Sequence, residues 1–456
     1  MSRNSKKRSI LSLLKNFTPR IVKSQLVAGS AVLFVGTMIA NFGNYLYHLL
    51  MGRMLGPKDY GVLESVISVG YLLFIIINTL TLTTAKFVAN LKGKKELNGI
   101  SWLFYYLNRQ VFWLGSLIFL FIFILSPLIA SFLHLESGVF IILIGVLFLI
   151  SSLSAISRST LQGLLRFKEM VISHIGETTL KMVTAVLLVL AGFRVKGAIF
   201  SLIIGALTGY LLAKGFLSFL REYNPQKPDI TRQDFLKFAL PVLFFNLSFT
   251  CLYTNDIILV KHLFSSYEAG LYAAVALFGK IVFFATSAIP MAMFPMVAAN
   301  HAQGKESRHL FLSSLGIVSF VSLGAILIYG LFPNLMVIIL FGKEYLVASP
   351  LLVWMAIFIS FYSLAYLLVN FFLSVDKVKS VFFSVGAAIL QIILILLFHQ
   401  TLEQVIQVSI GVSGLLLLVL MVYYIVWAEE KLFQLLSPLI SKRKQLLKIS
   451  KVFRGL

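Results

Sequence analysis

Long runs of apolar residues, separated by short polar stretches, dominate the sequence from residue 25 onwards. The runs contain roughly 20 residues or more, the length that a helix needs to cross about 30 Å of hydrocarbon. Because every backbone polar group must be satisfied within a bilayer, such runs predict helical spans of an all-α polytopic membrane protein. Twelve runs can be distinguished, at approximately 25–51, 61–85, 110–133, 138–157, 170–193, 197–218, 239–263, 270–298, 310–332, 347–373, 380–398 and 405–427.

The lysine and arginine residues are distributed unevenly between the connections that join these runs. With both termini inside, the inner connections and tails hold 31 of the 39 residues, and the outer connections hold 6. Lys181 and Lys280 lie deep within runs, whereas Lys214 and Lys261, near the ends of runs, are counted with the adjoining connections. Because positively charged connections are retained in the cytoplasm, the distribution predicts an even number of spans in the cytoplasmic membrane, with both termini cytoplasmic.

A polar stretch with two prolines, residues 221–238, predicts a cytoplasmic linker between two six-helix lobes at 25–220 and 239–427. The lobes share features at an offset of 209 residues. Repeats of six spans keep the same orientation, so the sequence predicts two parallel lobes around a central cavity that rock to give alternating access. The residues that recur are Asp59, Gly61, Phe74, Val88 and Ala89, which align with Glu268, Gly270, Phe283, Val297 and Ala298.

Composition agrees with a membrane protein and not with a soluble domain, because 59% of the residues are hydrophobic and the mean hydropathy is +0.94. The net charge of +22 is spread between spans, which favours anionic inner-leaflet lipids as partners and argues against nucleic acid. The basic, partly apolar segments 1–24 and 428–456 are expected to lie on that leaflet. Cys251 is the single cysteine, so neither a disulfide framework nor a cysteine metal site is expected.

The most distinctive string closes the first span and opens the second. Gly56 and Pro57 within it suit a tight turn, and Gly61 allows close backbone packing as the next helix begins. We therefore interpret these residues, together with Glu268 and Gly270 of the second lobe, as turn-forming and not as substrate contacts. The string is Gly52-Arg53-Met54-Leu55-Gly56-Pro57-Lys58-Asp59-Tyr60-Gly61, and shorter strings are Leu161-Gln162-Gly163 with Arg166 and Tyr267-Glu268-Ala269-Gly270-Leu271-Tyr272.

A first span that ends in Gly-Arg-x-Leu-Gly-Pro-x-x-Tyr-Gly resembles the oligosaccharide flippases. These are polysaccharide biosynthesis membrane proteins of the multidrug/oligosaccharidyl-lipid/polysaccharide exporter superfamily. The resemblance implies translocation of a lipid-linked oligosaccharide, on a polyprenyl diphosphate carrier, for cell-surface polysaccharide biosynthesis. It implies no cofactor or metal, and it suggests other membrane proteins of polysaccharide assembly as partners.

Ionisable groups inside spans are the first candidates for a site, because burying them in a bilayer is costly unless they face a cavity or a partner. Lys280 lies about 15 Å into the eighth span, a depth from which its side chain cannot easily reach water. It is either a cavity cation for the diphosphate or the partner of Asp256 in the seventh span, and the sequence does not distinguish these alternatives.

For three further sets of polar residues, the sequence leaves a structural and a functional interpretation open. Glu177 and Lys181 are four residues apart on one helix face, which favours a mutual ion pair over a proton-carrying or substrate-binding role. Arg158 and Lys86 end the fourth and second spans at the inner side, which favours positive anchors over a vestibule for the anionic headgroup. The third set contains asparagines that either bind sugar hydroxyls or join helices, namely Asn41, Asn44, Asn246 and Asn255.

Other functions that a polytopic helical membrane protein could have are less favoured by the sequence. A membrane glycosyltransferase or polymerase normally needs a loop domain or clustered acids, and the five aspartates form no DxD motif. The seven histidines lack metal-ligand spacing. A cation-coupled drug or metabolite antiporter generally needs an intramembrane acid, and the first span has none. A lipid II flippase typically has two further spans.

Overall fold

The computed structural model describes the backbone of residues 3–228, 232–303, 305–375 and 377–453. Side chains are described at 36, 38–228, 233, 239–294, 296–297, 300–301, 303, 305–375 and 377–427, so those of the basic segments 1–24 and 428–456 lie outside the described residues. Throughout the described ranges the regular elements are helices, which confirms the predicted all-α class. They are α1 (Arg3–Gly93), α2 (Leu97–Phe132), α3 (Val139–Gly163), α4 (Phe167–Leu188), α5 (Arg194–Phe216), α6 (Arg232–Leu252), α7 (Asn255–Leu263), α8 (Ser266–Ala302), α9 (Arg308–Leu331), α10 (Pro333–Leu340), α11 (Leu351–Ser374), α12 (Lys379–Leu397) and α13 (Leu402–Phe453), with short turns of other helix types at Val189–Phe193, Ser218–Glu222 and Lys343–Ala348.

Helix α1 folds back on itself at Gly56, where the backbone takes φ 72° and ψ 172°. His48 in the first arm (residues 3–55) contacts the carboxylate of Glu64 in the second arm (residues 57–93). In a continuous helix these side chains would be about 24 Å apart along the axis. The glycine predicted to form a tight turn therefore makes the hairpin between the first two predicted spans.

A second hairpin joins α4 to α5 through Gly192, whose φ is 89°, and Arg194, whose φ is 46°. The Ser173 hydroxyl in α4 donates a hydrogen bond of 2.8 Å to the carbonyl oxygen of Gly209 in α5. Uninterrupted helix would separate these residues by about 54 Å. The break lies within a few residues of the predicted connection between the fifth and sixth spans.

Among the described residues, nine helices are long and apolar enough to cross a membrane, or ten if the bent pair α6 and α7 is one span. Two of the nine, Met38–Gly93 and Phe167–Phe216, are the hairpins, and each arm is long enough to cross alone. Counting the arms separately gives eleven, or twelve when the bent pair is also counted as one span. The span count across a bilayer and the cytoplasmic position of both termini stay predictions.

The chain forms two compact units. The first contains residues 1–277 and 332–351, and the second contains residues 278–331 and 352–456. Helix α7, the start of α8 and helix α10 therefore belong to the same unit as the first six predicted spans. The predicted lobes at 25–220 and 239–427 stay predictions.

Two glycines that the 209-residue offset relates meet inside the first unit. A Cβ atom on Gly61 would lie 2.6 Å from the backbone nitrogen of Gly270, and a Cβ atom on Gly270 would collide with the carbonyl oxygen of Pro57. The absence of side chains lets the backbones of the first hairpin and of α8 touch. The repeated glycines are therefore required by helix packing.

The short string Leu161-Gln162-Gly163 with Arg166 lies at the predicted inner end of the first unit. A Cβ on Gly163 would lie 2.6 Å from the Cβ of Val88, which shows how closely α3 approaches α1. Arg166 then donates to the carbonyl oxygen of Phe216 at 2.8 Å and pairs with Glu169 at 2.9 Å. Leu161-Gln162-Gly163 with Arg166 thus joins three helices at one end of the bundle.

The second unit has a polar contact and an aromatic cluster in its core. Gln391 in α12 donates to the hydroxyl of Ser409 in α13 at 3.0 Å, which ties these neighbouring helices together. Rings from α9, α11 and α13 pack with centroids 4.6 to 5.7 Å apart, the usual range for aromatic pairs. The cluster contains Phe311, Phe371, Tyr424 and Trp427.

Candidate functional site

A cavity of about 330 Å³ lies within the first unit, between the second arm of α1 and helices α3, α4 and α5. Its wall combines an apolar surface with groups that donate or accept hydrogen bonds, the composition of a site for a polar ligand. The polar lining residues are Asn78, Thr81, Ser151, Ser154, Arg158, His174 and Glu177, and the apolar ones are Phe74, Ile77, Ala155, Met170 and Ala206.

An ion pair between Arg158 of α3 and Glu177 of α4 forms the charged part of this wall. Arg158 is only 9% exposed. Its Nε donates to the hydroxyl of Ser173 at 2.8 Å, and its Nη2 donates to the carbonyl oxygen of the same residue at 3.2 Å. Ser173 therefore holds the guanidinium while one of its edges faces the carboxylate.

Glycines in α5 make room for this pair. A Cβ on Gly209 would collide with the guanidinium of Arg158 and would lie 2.9 Å from a Glu177 carboxylate oxygen. A Cβ on Gly205 would lie 2.7 Å from the Cβ of Lys181 and 2.9 Å from the carbonyl oxygen of Glu177. Helix α5 thus packs closely on α4, and the charged side chains occupy the space that the missing side chains leave.

Ser154 supplies a hydrogen-bonding group that the described protein atoms do not satisfy. Its side chain is 2% exposed, and its hydroxyl has no hydrogen-bond partner among the described residues. A buried polar group of this kind costs free energy unless water or a ligand bonds to it. The hydroxyl is therefore available to a ligand in the cavity.

Lys181 does not form the expected ion pair with Glu177. Its ammonium contacts the side-chain oxygen of Asn44 and lies 4.8 Å from the centre of the Tyr47 ring. Tyr47 is itself held by a hydrogen bond of 2.9 Å from its hydroxyl to the carbonyl oxygen of Ala198. The prediction from helical spacing was wrong because Arg158, on a neighbouring helix, takes the carboxylate.

Similarity to known proteins identifies the family of this chain. The family model described as polysaccharide biosynthesis protein matches residues 50–350, which is more than half of the chain. The chain belongs to this family. The membership confirms the resemblance stated from the first hairpin. An uncharacterized membrane protein of Methanocaldococcus jannaschii is 23% identical over 346 residues, which cover 70% of this chain and 79% of that protein.

Solved structures of low sequence identity share the fold of this polysaccharide biosynthesis family member. An inward-facing multidrug resistance MATE family transporter of the MOP superfamily has a TM-score of 0.71 at 12% identity, covering 87% of this chain and 98% of that one. The lipid II flippase MurJ, in an inward closed conformation, has a TM-score of 0.64 at 13% identity and coverages of 86% and 87%. A MOP superfamily transporter from Pyrococcus furiosus has a TM-score of 0.64 at 15% identity and coverages of 89% and 95%.

The two alternatives for Lys280 stay open. Lys280 is 8% exposed in the second unit, and Asp256 is 1% exposed in the first. Asp256 accepts a hydrogen bond of 2.7 Å from the hydroxyl of Tyr272 and one of 2.8 Å from the backbone nitrogen of Ile257, at the start of α7. The neighbouring Asn255 is also buried.

The remaining candidates lie in different surroundings. Lys86 is exposed, and its role as a positive anchor stays a prediction. The burial of Arg158 in an ion pair contradicts the anchor interpretation for that residue. Asn41 and Asn246 are partly buried, and Asn44 contacts Lys181. Sugar binding by these asparagines stays a prediction.

Glu268 has a clear structural role. Its carboxylate accepts hydrogen bonds from the backbone nitrogen and the hydroxyl of Ser265, at 3.0 and 2.7 Å. Ser265 in turn accepts a bond from the backbone nitrogen of Glu268 at 3.2 Å. This reciprocal arrangement is a capping box at the start of α8 and agrees with the prediction of a turn-forming residue.

Sequence reasoning missed one buried acid. Glu64 in the second arm of α1 is 1% exposed, accepts a hydrogen bond of 3.2 Å from the Tyr60 hydroxyl and contacts His48. It lies in the predicted second span at 61–85, three residues after Gly61, and was not among the predicted site residues. His174 of the cavity was also missed, because a lone histidine in an apolar run gives no distinctive signal.

Proposed function

We propose that this protein is a flippase for a lipid-linked oligosaccharide on a polyprenyl diphosphate carrier. Translocation would run from the inner to the outer leaflet of the cytoplasmic membrane, by alternating access, in the course of polysaccharide assembly. Membership of the polysaccharide biosynthesis family and a fold shared with a lipid II flippase support the proposal. Anionic inner-leaflet lipids and other membrane proteins of polysaccharide assembly are the proposed partners.

The observation that carries the proposal is the polar cavity with the Arg158–Glu177 pair in its wall. A lipid-linked oligosaccharide offers an anion and many hydroxyl groups, and the cavity offers a guanidinium beside serine, threonine and asparagine side chains. Arginine suits phosphate because its planar group can donate two parallel hydrogen bonds. Arg158 and Lys181 together exceed the charge of Glu177, so this part of the unit has a positive excess.

The ion pair suggests how the protein tolerates a buried charge on Arg158 when no substrate is bound. Glu177 neutralises the buried guanidinium until an anionic headgroup arrives and takes the place of the carboxylate. The exchange would leave the guanidinium paired throughout, while the displaced carboxylate, whose side chain is 27% exposed and lies one helical turn from Lys181, is compensated by water and by that ammonium. Asn78, Thr81 and Ser154 would then bind hydroxyl groups of the first sugar.

The test is reconstitution in vesicles with a fluorescent lipid-linked oligosaccharide and a leaflet-specific quencher. We expect the double variant Arg158→Met/Glu177→Leu to flip the substrate about tenfold more slowly or worse, because it lacks the charge-assisted bonds to the headgroup. Replacing both partners avoids an uncompensated charge, so the loss can be measured on folded protein.

The matched control is Arg166→Met/Glu169→Leu, which removes an arginine–glutamate pair outside the cavity. This variant should keep most of the wild-type rate per folded molecule. Equal rates in both double variants would reject the cavity as the headgroup site. If the wild type moves no lipid-linked sugar at all, the flippase proposal itself fails.

A cation-coupled antiporter of the same superfamily is the second candidate, and the buried acid Glu64 favours it. Such a transporter uses an intramembrane carboxylate to bind the coupling cation. The same vesicles distinguish the two functions when they are loaded with a small organic cation and given a proton or sodium gradient. Gradient-driven movement of that cation, without movement of the lipid, would replace the flippase proposal.

Lys280 is proposed as a further headgroup contact. We expect Lys280→Gln to slow flipping severalfold while the thermal unfolding temperature in detergent stays close to that of the wild type. The alternative, a structural pair with Asp256, predicts the opposite: a lower unfolding temperature with an unchanged rate per folded molecule. Measuring both quantities on one preparation decides between them.

A further inference from the structure

Residues 332–351, here called the strap, belong to the first unit although the chain on either side belongs to the second. The strap consists of the short helix α10, a turn at Gly342 with φ 96°, and the helical turn Lys343–Ala348. It joins α9 to α11, so its two ends are attached to one unit while its body packs with the other. The sequence predicted residues 333–346 as an outer connection, and it placed residues 347–351 at the start of the tenth span.

Arg53 holds the end of α10. Its Nε donates to the carbonyl oxygen of Leu340 at 2.9 Å, and its Nη2 donates to that of Ile338 at 3.3 Å and also contacts that of Ile339. The last carbonyls of a helix lack partners within the helix, and the helix dipole makes this end negative. A guanidinium that bonds to several of them satisfies both the geometry and the charge.

The remaining contacts come from the same distinctive string. The Tyr345 hydroxyl donates to the carbonyl oxygen of Gly52 at 2.8 Å, and the Tyr60 ring packs 5.7 Å from that of Phe341. A side chain on Gly52 would displace Phe341, whose ring carbon would lie 2.7 Å from the new Cβ. The string thus provides the hydrogen-bond donor Arg53, the aromatic ring of Tyr60, and at Gly52 both an acceptor and the space for Phe341. The strap packs against all of these groups.

We propose that Gly52, Arg53 and Tyr60 form the seat of a strap that closes the predicted outer side of the protein and leaves its seat when that side opens. Arg53 acts as a positioning residue that sets how often the strap is released. The proposal concerns the gate and not the cargo, and it rests on the proposed function only in treating the protein as a transporter.

The chemistry of the seat suits reversible release. Arg53 is exposed, so water can replace the carbonyl oxygens of the strap when the bonds break. The rings of Phe341 and Tyr345 are buried at 3% and 1% exposure, so they oppose spontaneous release. The seat therefore combines exposed hydrogen bonds, which water can replace, with a small apolar contact. Separating the strap from such a seat costs a modest free energy.

The test measures the release of the strap directly, without substrate. Ala348, 2% exposed within the strap, is changed to cysteine in a Cys251→Ser background, and intact cells are treated with a membrane-impermeant maleimide. We expect Arg53→Ala to speed labelling of this cysteine about fivefold or more, the change expected for the net loss of one or two hydrogen bonds. Tyr345→Phe, which removes only the bond to Gly52, should speed labelling by a smaller factor.

Arg194→Asn is the matched control, because it removes another arginine of the predicted outer side. Among the described residues, Arg194 pairs with Asp59 at 2.7 Å and not with the strap. Labelling should stay at the parent rate in this variant. Equal labelling rates in parent, Arg53→Ala and Tyr345→Phe would overturn the proposal, and so would faster labelling only from the cytoplasmic side in inverted vesicles.

Discussion

Gly270→Ala is expected to leave little folded protein, although it adds a single methyl group. The new Cβ would collide with the carbonyl oxygen of Pro57, which is backbone and cannot rotate away as a side chain would. Overpacking a core costs about 1–3 kcal/mol and occasionally more, and a collision with backbone belongs at or above the upper end of this range. The measurement is the thermal unfolding temperature in detergent together with the yield of monodisperse protein.

Gly316→Ala provides the comparison. Gly316 lies in α9, is exposed, and has no atoms within 4 Å of the Cβ position among the described residues. Alanine is favoured over glycine in a helix by about 1 kcal/mol, so this variant should be as stable as the wild type or slightly more stable. Similar unfolding temperatures for the two alanine variants would show that the contact between the first hairpin and α8 is looser than described.

Glu177→Leu is expected to destabilise the protein by about 3 kcal/mol, because it leaves the guanidinium of Arg158 buried without its carboxylate. The value is at the lower end of the range for buried pairs, since 27% of the Glu177 side chain remains exposed. Adding Arg158→Met should restore most of the stability, because the pair is then replaced by apolar side chains of similar size. Chemical and thermal unfolding of the three variants would measure this recovery.

The comparison of single and double variants also separates stability from transport. The double variant should be folded but slow in flipping, whereas the single variant should be poorly folded. If the double variant is no more stable than Glu177→Leu alone, the ion pair is not what holds α3 against α4. The loss of transport in the double variant would then carry no information about the headgroup.

Most helices were predictable because crossing a bilayer sets a minimum length of apolar sequence. The predicted eighth to twelfth spans begin within four residues of the helices that correspond to them, α8, α9, α11, α12 and α13. Gly56, Pro57 and Gly61 were correctly assigned to a turn and a close packing contact. The repeat at 209 residues also pointed to a real packing relation, because Gly61 and Gly270 meet.

The partners of the buried charges were not predictable in the same way. Helical spacing placed Glu177 and Lys181 on one face, but spacing along one helix says nothing about which neighbouring helix supplies a stronger partner. Arg158, 19 residues earlier, supplies it. Helix α10 escaped prediction because its 8 residues are too few for a span and carry no distinctive periodicity.

Apolar run length and the uneven placement of positive charge were sufficient to establish a helical membrane protein and to predict its topology, because the bilayer acts on each segment separately. The hairpin string was sufficient to identify the family. Only the tertiary structure decided that Arg158 pairs with Glu177, that Glu64 is buried, and that Arg53 holds the strap. These contacts join residues far apart in the chain, and their partners are selected by how helices pack against one another.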